Sequence, residues 1–360
     1  MPKNTIAHSV LWPNDHRILV RVCFLYVGQG SSILALVRDG DVYRLVLLDC
    51  NLDQGSGGID VPKMLKDLSP DGHLNVFANT HPHDDHLRGI KEIAEALTVD
   101  KVWHSGHVPS HDHGHYHPDL TTLIKDVEDR NGAGAVMELD GSRSDQPLFD
   151  AQVHVLAPAV HVKDDVNAED AEARYRRIHE NCAVLKIGRE PSWVLVTGDA
   201  DLVAFRDHIG EYHKDRLAAF VLDASHHGSR SFFKVAEGDE PHLAALEAID
   251  PDYVVISAPT QEESQFDHPH DDAVKLYADH VGAQNVLHTG VERETFFFDI
   301  YEDGTHSGPQ TDGGRLSEKY GLDKGTGNDG GGGGGGETSK SQAPFVRPSG
   351  AGEFTPRKYG

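Results

Sequence analysis

The chain has 360 residues, of which 38% are apolar and 25% are charged, and its formal net charge is −25. This length allows one large core or two modest ones in a globular protein. No apolar run approaches the roughly 20 residues that a membrane helix needs, and no secretion signal is evident, so we expect a cytoplasmic protein. The acidic balance argues against a broad basic groove for long nucleic acids.

The predicted elements begin with three strand-like runs between residues 20 and 49, which glycine-containing turns separate. A short helix over 61–68, a buried strand over 74–80 and an amphipathic helix over 87–97 follow. The next segment, 104–117, is rich in glycine and histidine, which favours a mobile loop able to bind adventitious metal.

Strands and helices continue to alternate up to about residue 302, with hairpins such as 182–199 among them. This order favours a layered α/β fold over an all-parallel doubly wound sheet. We expect an N-terminal extension over 1–19, one domain over 20–302, and a disordered tail over 303–360 that is rich in Gly, Ser and Pro. Such a tail could recruit a protein partner, whereas nothing in the sequence indicates the oligomeric state.

The motif HPHDDH, residues 81–86, lies between a predicted strand and a predicted helix. Imidazole and carboxylate ligands suit divalent ions such as zinc or manganese. His81 and His83 can reach one ion from an extended loop, while Asp85 and His86 would face a second ion a few ångströms away. The alternative is a polar surface loop, because the chain contains 25 histidines.

Several further motifs occur in a fixed order along the chain. They are VGQGSSIL at 27–34, VLLDC at 46–50, THPHDDH at 80–86, ENCAVLKI at 180–187, VTGDAD at 196–201, SHHGSRSF at 225–232, and VVIS followed by HPH between 254 and 270. In this order the chain resembles metallo-β-lactamase-fold hydrolases, in particular the hydrolase domain of ComEC-type competence proteins. The resemblance implies an αββα sandwich and two divalent ions, Zn²⁺ or alternatively Mn²⁺.

The resemblance also implies roles for individual residues. Asp199 would bridge the two ions, although a helix N-cap is the alternative for this residue. His226 would be the ligand from the pair at 226–227, and His227 would act in catalysis together with Asp85. Asp49 would orient a histidine from behind the ligands.

Substrate-binding roles follow from the same resemblance for Ser229, Asn181 and His268. The late HPHDDA at 268–273 matches the family's final HP and is not a second copy of HPHDDH. The third histidine of the first ion has no assigned position. Its candidates are His154, His161, His179 and Asn181, of which Asn181 matches the family pattern best.

The expected activity is metal-dependent hydrolysis of a phosphodiester, in a small molecule or a short single-stranded nucleic acid. Membrane helices of an uptake channel are absent from the sequence, so DNA uptake itself is not expected. One alternative is hydrolysis of a carboxylic ester, lactone, thioester or phosphocholine ester, because the same ligands serve esters of carbon and phosphorus. Another alternative is a non-catalytic metal-bound scaffold that recruits a partner through its tail.

Overall fold

The computed structural model describes residues 5–53, 55, 57–109, 114–142 and 145–322. The strands are β1 (Ile18–Phe24), β2 (Ile33–Asp39), β3 (Val42–Leu48), β4 (His73–Leu74), β5 (Val76–Asn79), β6 (Thr98–Val99), β7 (Val102–His104), β8 (Val136–Glu138), β9 (Gln146–Leu148), β10 (Ala151–Ala157), β11 (Val184–Arg189), β12 (Ser192–Val196), β13 (Val221–Asp223), β14 (Tyr253–Ile256), β15 (Val286–His288), β16 (Phe296–Tyr301) and β17 (His306–Thr311).

The α-helices and single α-helical turns are α1 (Ile6–Leu11), α2 (Val61–Leu68), α3 (Asp84–Leu87), α4 (Ile90–Ala96), α5 (His117–Asn131), α6 (Val160–Ala168), α7 (Ala171–Arg176), α8 (Gly210–His213), α9 (Ser225–Gly228), α10 (Ala244–Ile249), α11 (Asp271–Val281), α12 (Thr289–Glu292) and α13 (Arg315–Tyr320). A π-helical segment, Ala204–Ile209, leads directly into α8. Short 3₁₀ segments lie at Ala133–Ala135, Lys214–Arg216, Arg230–Phe232 and Ala283–Asn285.

Two large mixed sheets form the centre of the fold. The first has the strand order β17-β16-β1-β2-β3-β5-β7-β8, and the second has the order β15-β14-β13-β12-β11-β10-β9. The strands β3, β5, β7 and β8 are parallel, as are β12, β13, β14 and β15. The remaining neighbours within the two large sheets pair antiparallel, so the predicted mixture of hairpins and crossovers is present.

The side-chain alternation of β2 shows how the layers are stacked. Leu34 and Leu36 belong to a core that includes apolar residues of α1, α2, α4, α5 and α13. The alternate residues Ile33, Ala35 and Val37 belong to a second core, which residues of both sheets share. Because successive side chains of a strand point to opposite faces, the first sheet lies between its helices and the second sheet.

The second sheet is covered in the same way on its far side. Leu195 of β12 and Leu222 of β13 pack in a third core with Phe205 of the π-helical segment and Tyr277 of α11. The order of layers is therefore helix, sheet, sheet, helix. The expected αββα sandwich is confirmed.

The folded part of the chain extends beyond the limits predicted for the domain. Ala7 and Leu11 of α1 are fully buried, so residues 5–17 contribute to the core. Strand β17 pairs with β16, and Leu316 and Tyr320 of α13 are buried. The described fold continues to residue 322, about 20 residues beyond the boundary that the sequence predicts at 302; the tail beyond 322 lies outside the described residues.

No helix in the described part of the chain is both long and apolar enough to cross a bilayer.

Candidate metal centre

The predicted site residues follow strands that end at one edge of the sandwich. Asp49 follows β3, the HPHDDH motif follows β5, and Asp199 follows β12. The pair 226–227 follows β13. Because the carboxyl ends of parallel strands meet at one edge of a sheet, residues distant in sequence converge there. The first sheet contributes Asp49 and the HPHDDH motif, and the second contributes Asp199 and the histidine pair.

A first group of side chains consists of His81, His83, His179 and Asp199. Each offers one ligand atom, and these atoms all lie within 4.8 Å of one another. His81 Nε2 lies 3.5 Å from Asp199 Oδ2, and His179 Nε2 lies 3.7 Å from the same oxygen. His83 Nδ1 and His179 Nε2 are 3.4 Å apart. Three imidazoles and one carboxylate thus surround one point.

A second group consists of Asp85, His86 and His227, again with ligand atoms within 4.8 Å of one another. His227 Nε2 lies 3.3 Å from Asp85 Oδ2 and 3.5 Å from Asp199 Oδ1. His86 Nε2 lies 3.1 Å from the same Asp199 oxygen. Asp199 therefore presents Oδ2 to the first group and Oδ1 to the second, and it can bridge two ions.

Several ligand atoms of the two groups fit a metal ion because they have no hydrogen-bond partner. The Nε2 atoms of His81, His83, His86 and His227, together with Asp199 Oδ1, are buried without a hydrogen-bond partner. Although His86 Nε2 and Asp199 Oδ1 are close, they do not form a hydrogen bond. Buried polar atoms are rarely left unpaired, since each costs about 1–3 kcal/mol. The Nε2 atoms of His81, His86 and His227 each lie within 3.5 Å of an Asp199 oxygen, and this convergence indicates a site built for cations.

The charge states of the first group suit metal ligands, whereas in the second group Asp199 raises the pKa of His86 and of His227 against the effect of burial. Burial lowers the pKa of His81 and of His179 well below the usual range, so both imidazoles are neutral. Burial alone would raise the pKa of Asp199, but the imidazole of His86 holds it well below its usual range. Neutral imidazoles and ionised carboxylates are the forms that bind a divalent ion.

Asp49 supports the second group from behind. Its Oδ2 accepts hydrogen bonds from His86 Nδ1 at 2.6 Å and from the Thr80 hydroxyl at 2.6 Å. Its Oδ1 accepts from the Thr80 backbone N–H and from the side-chain amide of Asn79. With Nδ1 as the donor, His86 directs the lone pair of Nε2 toward Asp199. A hydrogen bond of this kind would orient the His86 ring, which is the role that the sequence predicts for Asp49.

Cys182 lies beneath the first group. Its sulfur accepts a hydrogen bond from the Asp199 backbone N–H at 3.3 Å and lies 3.6 Å from His81 Nδ1. Gly198 is packed against the same sulfur: a Cβ atom there would lie 2.7 Å from it and 2.7 Å from Thr80 Oγ1. Gly198 also has φ +49°, in the left-handed region that favours glycine. The turn before Asp199 therefore requires glycine for two reasons.

The histidine pair at 226–227 adopts an unusual backbone. Both residues have left-handed conformations, with φ of 52° and 56°. Non-glycine residues rarely adopt this conformation, and it costs about 1–2 kcal/mol per residue. The result is that two adjacent imidazoles reach the same site. His227 donates from Nδ1 to the Ser257 carbonyl at 2.9 Å, whereas His226 Nδ1 lies 3.1 Å from Ser231 Oγ.

The placement of the other predicted residues differs in part from expectation. The second group contains His227, where the sequence favoured His226; His226 Nε2 lies 3.5 Å from Asp199 Oδ2 and lines the cleft above the groups. The first group contains His179, one of the four candidates that the sequence offers for the third ligand. The segment around His179 shows no metal motif.

Two of the predicted substrate-binding residues do not line the cleft. The Asn181 amide lies 3.1 Å from His107 Nδ1, and the Ser229 hydroxyl accepts from the Ser231 backbone N–H. His268, the third, does line the cleft, and its ring centroid lies 4.8 Å from that of His226.

The histidine-rich segment 104–117 is only partly described. His107 is buried, and His104 Nδ1 accepts from the Gly106 backbone N–H. His115 contacts Asp84 of the HPHDDH motif at 2.7 Å, at the margin of the cleft. His111 and His113 lie outside the described residues, so the expectation of a mobile loop stays a prediction.

A cleft of about 430 Å³ opens above the two groups. This is within the range of small-molecule sites. Its lining consists of Gln29, His83, Asp84, Asp85, Gly114, His115, Tyr175, His179, Asp199, His226, His227, Phe266 and His268.

Comparison with known proteins gives matches among solved structures, while no family model and no curated protein matches the sequence. Yeast PDE1 is 9% identical, with 75% of this chain and 97% of that chain covered and a TM-score of 0.38. A beta-lactamase domain protein from Burkholderia ambifaria is 14% identical, with 55% and 60% covered and a TM-score of 0.28.

The metallo-beta-lactamase SMB-1 bound to 2-mercaptoethanesulfonate is 11% identical, with 83% of this chain and 92% of that chain covered and a TM-score of 0.30. These likenesses carry no conclusion about what the chain acts on. The layers described above show the fold, which is an αββα sandwich.

Proposed function

We propose that the protein is a metal-dependent hydrolase with two divalent ions, zinc or manganese, and that it cleaves small phosphodiesters. The observation that carries the proposal is the convergence of the two ligand groups on the shared Asp199 carboxylate, with unpartnered buried nitrogen atoms at the floor of a cleft. If these buried, unpaired polar atoms had a purely structural role, they would lower the stability of the fold and no other interaction would compensate for the loss.

When bound, the two ions supply positive charge for the developing phosphoryl oxygens and lower the pKa of a water molecule. Asp199 would hold them at a fixed separation, since each of its oxygens faces one group. Asp85 lines the cleft and lies 3.3 Å from His227, and its carboxylate would accept a proton from the attacking water.

His226 and His268 extend the site into the cleft beyond the ligands. Burial lowers the pKa of His226 to about 4 and that of His268 to about 3, so both imidazoles are neutral at pH 7. The His226 ring is fixed by its contact with Ser231. A neutral imidazole can donate one hydrogen bond to a substrate oxygen, which would orient the ester above the ions.

The size and charge of the cleft favour a small substrate over a polymer. Its volume of about 430 Å³ accommodates a molecule of nucleotide size. No lysine or arginine occurs among its described lining residues, whereas Asp84, Asp85 and Asp199 are acidic. A nucleic acid strand carries many phosphates and needs basic contacts along its length. We therefore favour a single phosphodiester or a very short single strand.

The same lack of basic side chains favours a second candidate, hydrolysis of a carboxylic ester, lactone, thioester or phosphocholine ester. A neutral or zwitterionic substrate would need no cation besides the two ions. The ligand groups themselves suit both kinds of bond.

The test combines metal content with turnover. Protein purified without a histidine tag is expected to contain about two ions per chain and to hydrolyse bis-p-nitrophenyl phosphate. His83→Ala and Asp199→Ala should abolish turnover in folded protein, whereas His73→Ala, a half-exposed histidine paired with Asp100, should leave it intact.

Turnover of p-nitrophenyl acetate or a lactone without any phosphodiesterase activity would move the assignment to the second candidate. Two ions with no hydrolysis of either kind would point to the non-catalytic scaffold, whose tail lies outside the described residues. Activity persisting in both ligand variants would contradict the metal site itself.

A further inference from the structure

The margins of the cleft carry two exposed aromatic rings. Tyr175 on α7 is 40% exposed, and Phe266, between β14 and α11, is 60% exposed. Among the described residues, the large exposed aromatic side chains are Tyr175, Tyr212 and Phe266, and two of the three line this cleft. Single apolar residues are common on protein surfaces, but two rings beside one polar cleft require an explanation.

Tyr175 is held in place by contacts on both sides of it along the chain. Asp170 caps α7 by accepting from the Ala173 N–H, and Arg177 pairs with Glu169 and Glu180 just beyond the helix. The Tyr175 ring centroid lies 6.1 Å from the ring of His83, a member of the first ligand group. A flat group that contacts Tyr175 would therefore lie beside the metal site.

Phe266 is positioned through a hydroxyl. Ser264 Oγ donates to Gln29 Oε1 and accepts from the backbone N–H groups of Phe266 and His268. Gln29 and His268 also line the cleft, so one network fixes the ring and two polar lining residues together. Both aromatic rings are thus held at the margin of the cleft that lies above the ligand groups.

The charges of the cleft limit what can lie between the rings. Since its described lining has no lysine or arginine, the two ions are the cations available to a substrate. One phosphodiester charge is compatible with this, whereas further phosphates would meet no basic side chain of the described lining and would lie beside the Asp84 carboxylate. The part of the substrate beyond the reacting ester should then be uncharged, and the rings favour a flat apolar part.

We infer that Tyr175 and Phe266 determine substrate specificity by binding a flat aromatic or heteroaromatic ring of a small, singly charged phosphodiester. The inference rests on the proposed function and adds a substrate class to it. Stacking on aromatic side chains tolerates many ring systems, because each ring offers an apolar face. The site would accordingly favour substrates that carry a flat ring of any kind and a single phosphate, and it would disfavour polyphosphates.

Binding of ligands that differ by one ring tests the inference. Methyl phenyl phosphate and dimethyl phosphate carry the same charge, and calorimetry on the zinc-loaded full chain measures the affinity of each. We expect the phenyl ligand to bind roughly tenfold more tightly, given the usual strength of ring contacts. The double variant Tyr175→Ala, Phe266→Ala should bind both ligands equally, while Tyr212→Ala should keep the preference.

Equal affinities in the unmodified protein, no measurable binding of either ligand, or a preference retained in the double variant would overturn the inference. Turnover of methyl p-nitrophenyl phosphate, measured in parallel, addresses the proposed function separately. If binding shows the ring preference but turnover is absent, the specificity inference survives and the proposed reaction fails. If turnover occurs without the preference, the reaction survives and the inference fails.

Discussion

The backbone N–H of Asp199 donates a hydrogen bond to the sulfur of Cys182 at 3.3 Å. The same sulfur lies 3.6 Å from His81 Nδ1, so one buried thiol touches two members of the first ligand group. A sulfur atom is larger than a hydroxyl oxygen, and here it fills the space beneath the turn that ends in Asp199.

The first prediction concerns this thiol. Cys182→Ala removes the acceptor for the Asp199 N–H and the contact to His81, so we expect metal affinity to fall about 10- to 100-fold. Cys182→Ser retains an acceptor at a similar place and should keep most of the affinity. Competition with a chromophoric chelator measures both, and circular dichroism shows whether each variant is folded. Equal affinities for the alanine variant and the unmodified protein would contradict a positioning role.

Asp49 gives the second prediction. Asp49→Asn places an amide where Oδ2 accepts from His86 Nδ1 and from the Thr80 hydroxyl. The His86 ring loses its orienting partner, and we expect the affinity for the second ion to fall about 10- to 100-fold. Metal analysis after dialysis should then find one ion per chain in place of two. Retention of both ions would show that His86 is held sufficiently by its other contacts.

The adjacent histidines give a matched pair of variants. His227→Ala removes a member of the second group, so this variant should bind one ion and lose turnover. His226→Ala removes an imidazole that lines the cleft, so it should bind two ions while kcat falls about a hundredfold. Metal content and kcat of the two variants decide the assignment. Loss of an ion in His226→Ala, with both ions kept in His227→Ala, would restore the assignment that the sequence favoured.

Gly198 and Gly40 make the fourth prediction, which concerns stability. Both have positive φ, but a Cβ atom on Gly40 meets nothing within 4 Å, whereas one on Gly198 meets Cys182 and Thr80 at 2.7 Å. Gly40→Ala should lower the free energy of unfolding by about 1 kcal/mol, through its backbone conformation alone. Gly198→Ala should cost about 3 kcal/mol or more, because overpacking adds to the same strain. Urea unfolding of both variants compares the two costs.

The fifth prediction concerns pH and a residue remote from the cleft. Burial lowers the pKa of Lys186 from 10.5 to about 8, and its amine packs on Trp193 and donates to the Arg216 carbonyl. Between those two pH values the unfolded chain binds the proton more strongly than the folded chain does. Stability should therefore rise with pH across this interval, by up to about 3 kcal/mol.

Lys186→Met removes this titration and should abolish that rise. The variant also lacks the charge that the unmodified protein buries near pH 7.5. It should therefore be at least as stable as the unmodified protein at this pH. Urea unfolding near pH 7.5 and near pH 10 measures the difference. An equal rise in both proteins would show that other groups cause it.

The sequence predicted the parts of the site that lie on short contiguous motifs. HPHDDH, the TGD turn and the SHHGS segment each place polar side chains at a strand end, which a linear pattern can show. His179 could not be found in this way, because it reaches His83 across 96 residues and lies in a segment without periodicity. The choice between His226 and His227 depends on two left-handed residues, which the pattern of residue types does not encode.

The errors in the domain limits also have physical causes. Strand β17 contains Gly308 and Pro309 and has no apolar alternation, so its sequence is typical of a loop. It nevertheless pairs at the end of the first sheet, where an edge strand tolerates proline. Helix α1 has six residues, too few for a helical period to be recognised. Pairing with a folded neighbour stabilises both segments, and a local pattern contains no information about that neighbour.

Because the ligand groups combine side chains from both sheets, each ion of the proposed centre would connect the two halves of the sandwich. His81 and His86 come from the first half, and Asp199 and His227 come from the second. An ion that binds only when the two sheets are packed together stabilises the folded chain by about 2.7 kcal/mol when its free concentration is a hundred times its Kd. The chain's resistance to unfolding would thereby be coupled to the supply of metal around it, and depletion of metal would weaken the packing of the two halves as well as the proposed chemistry.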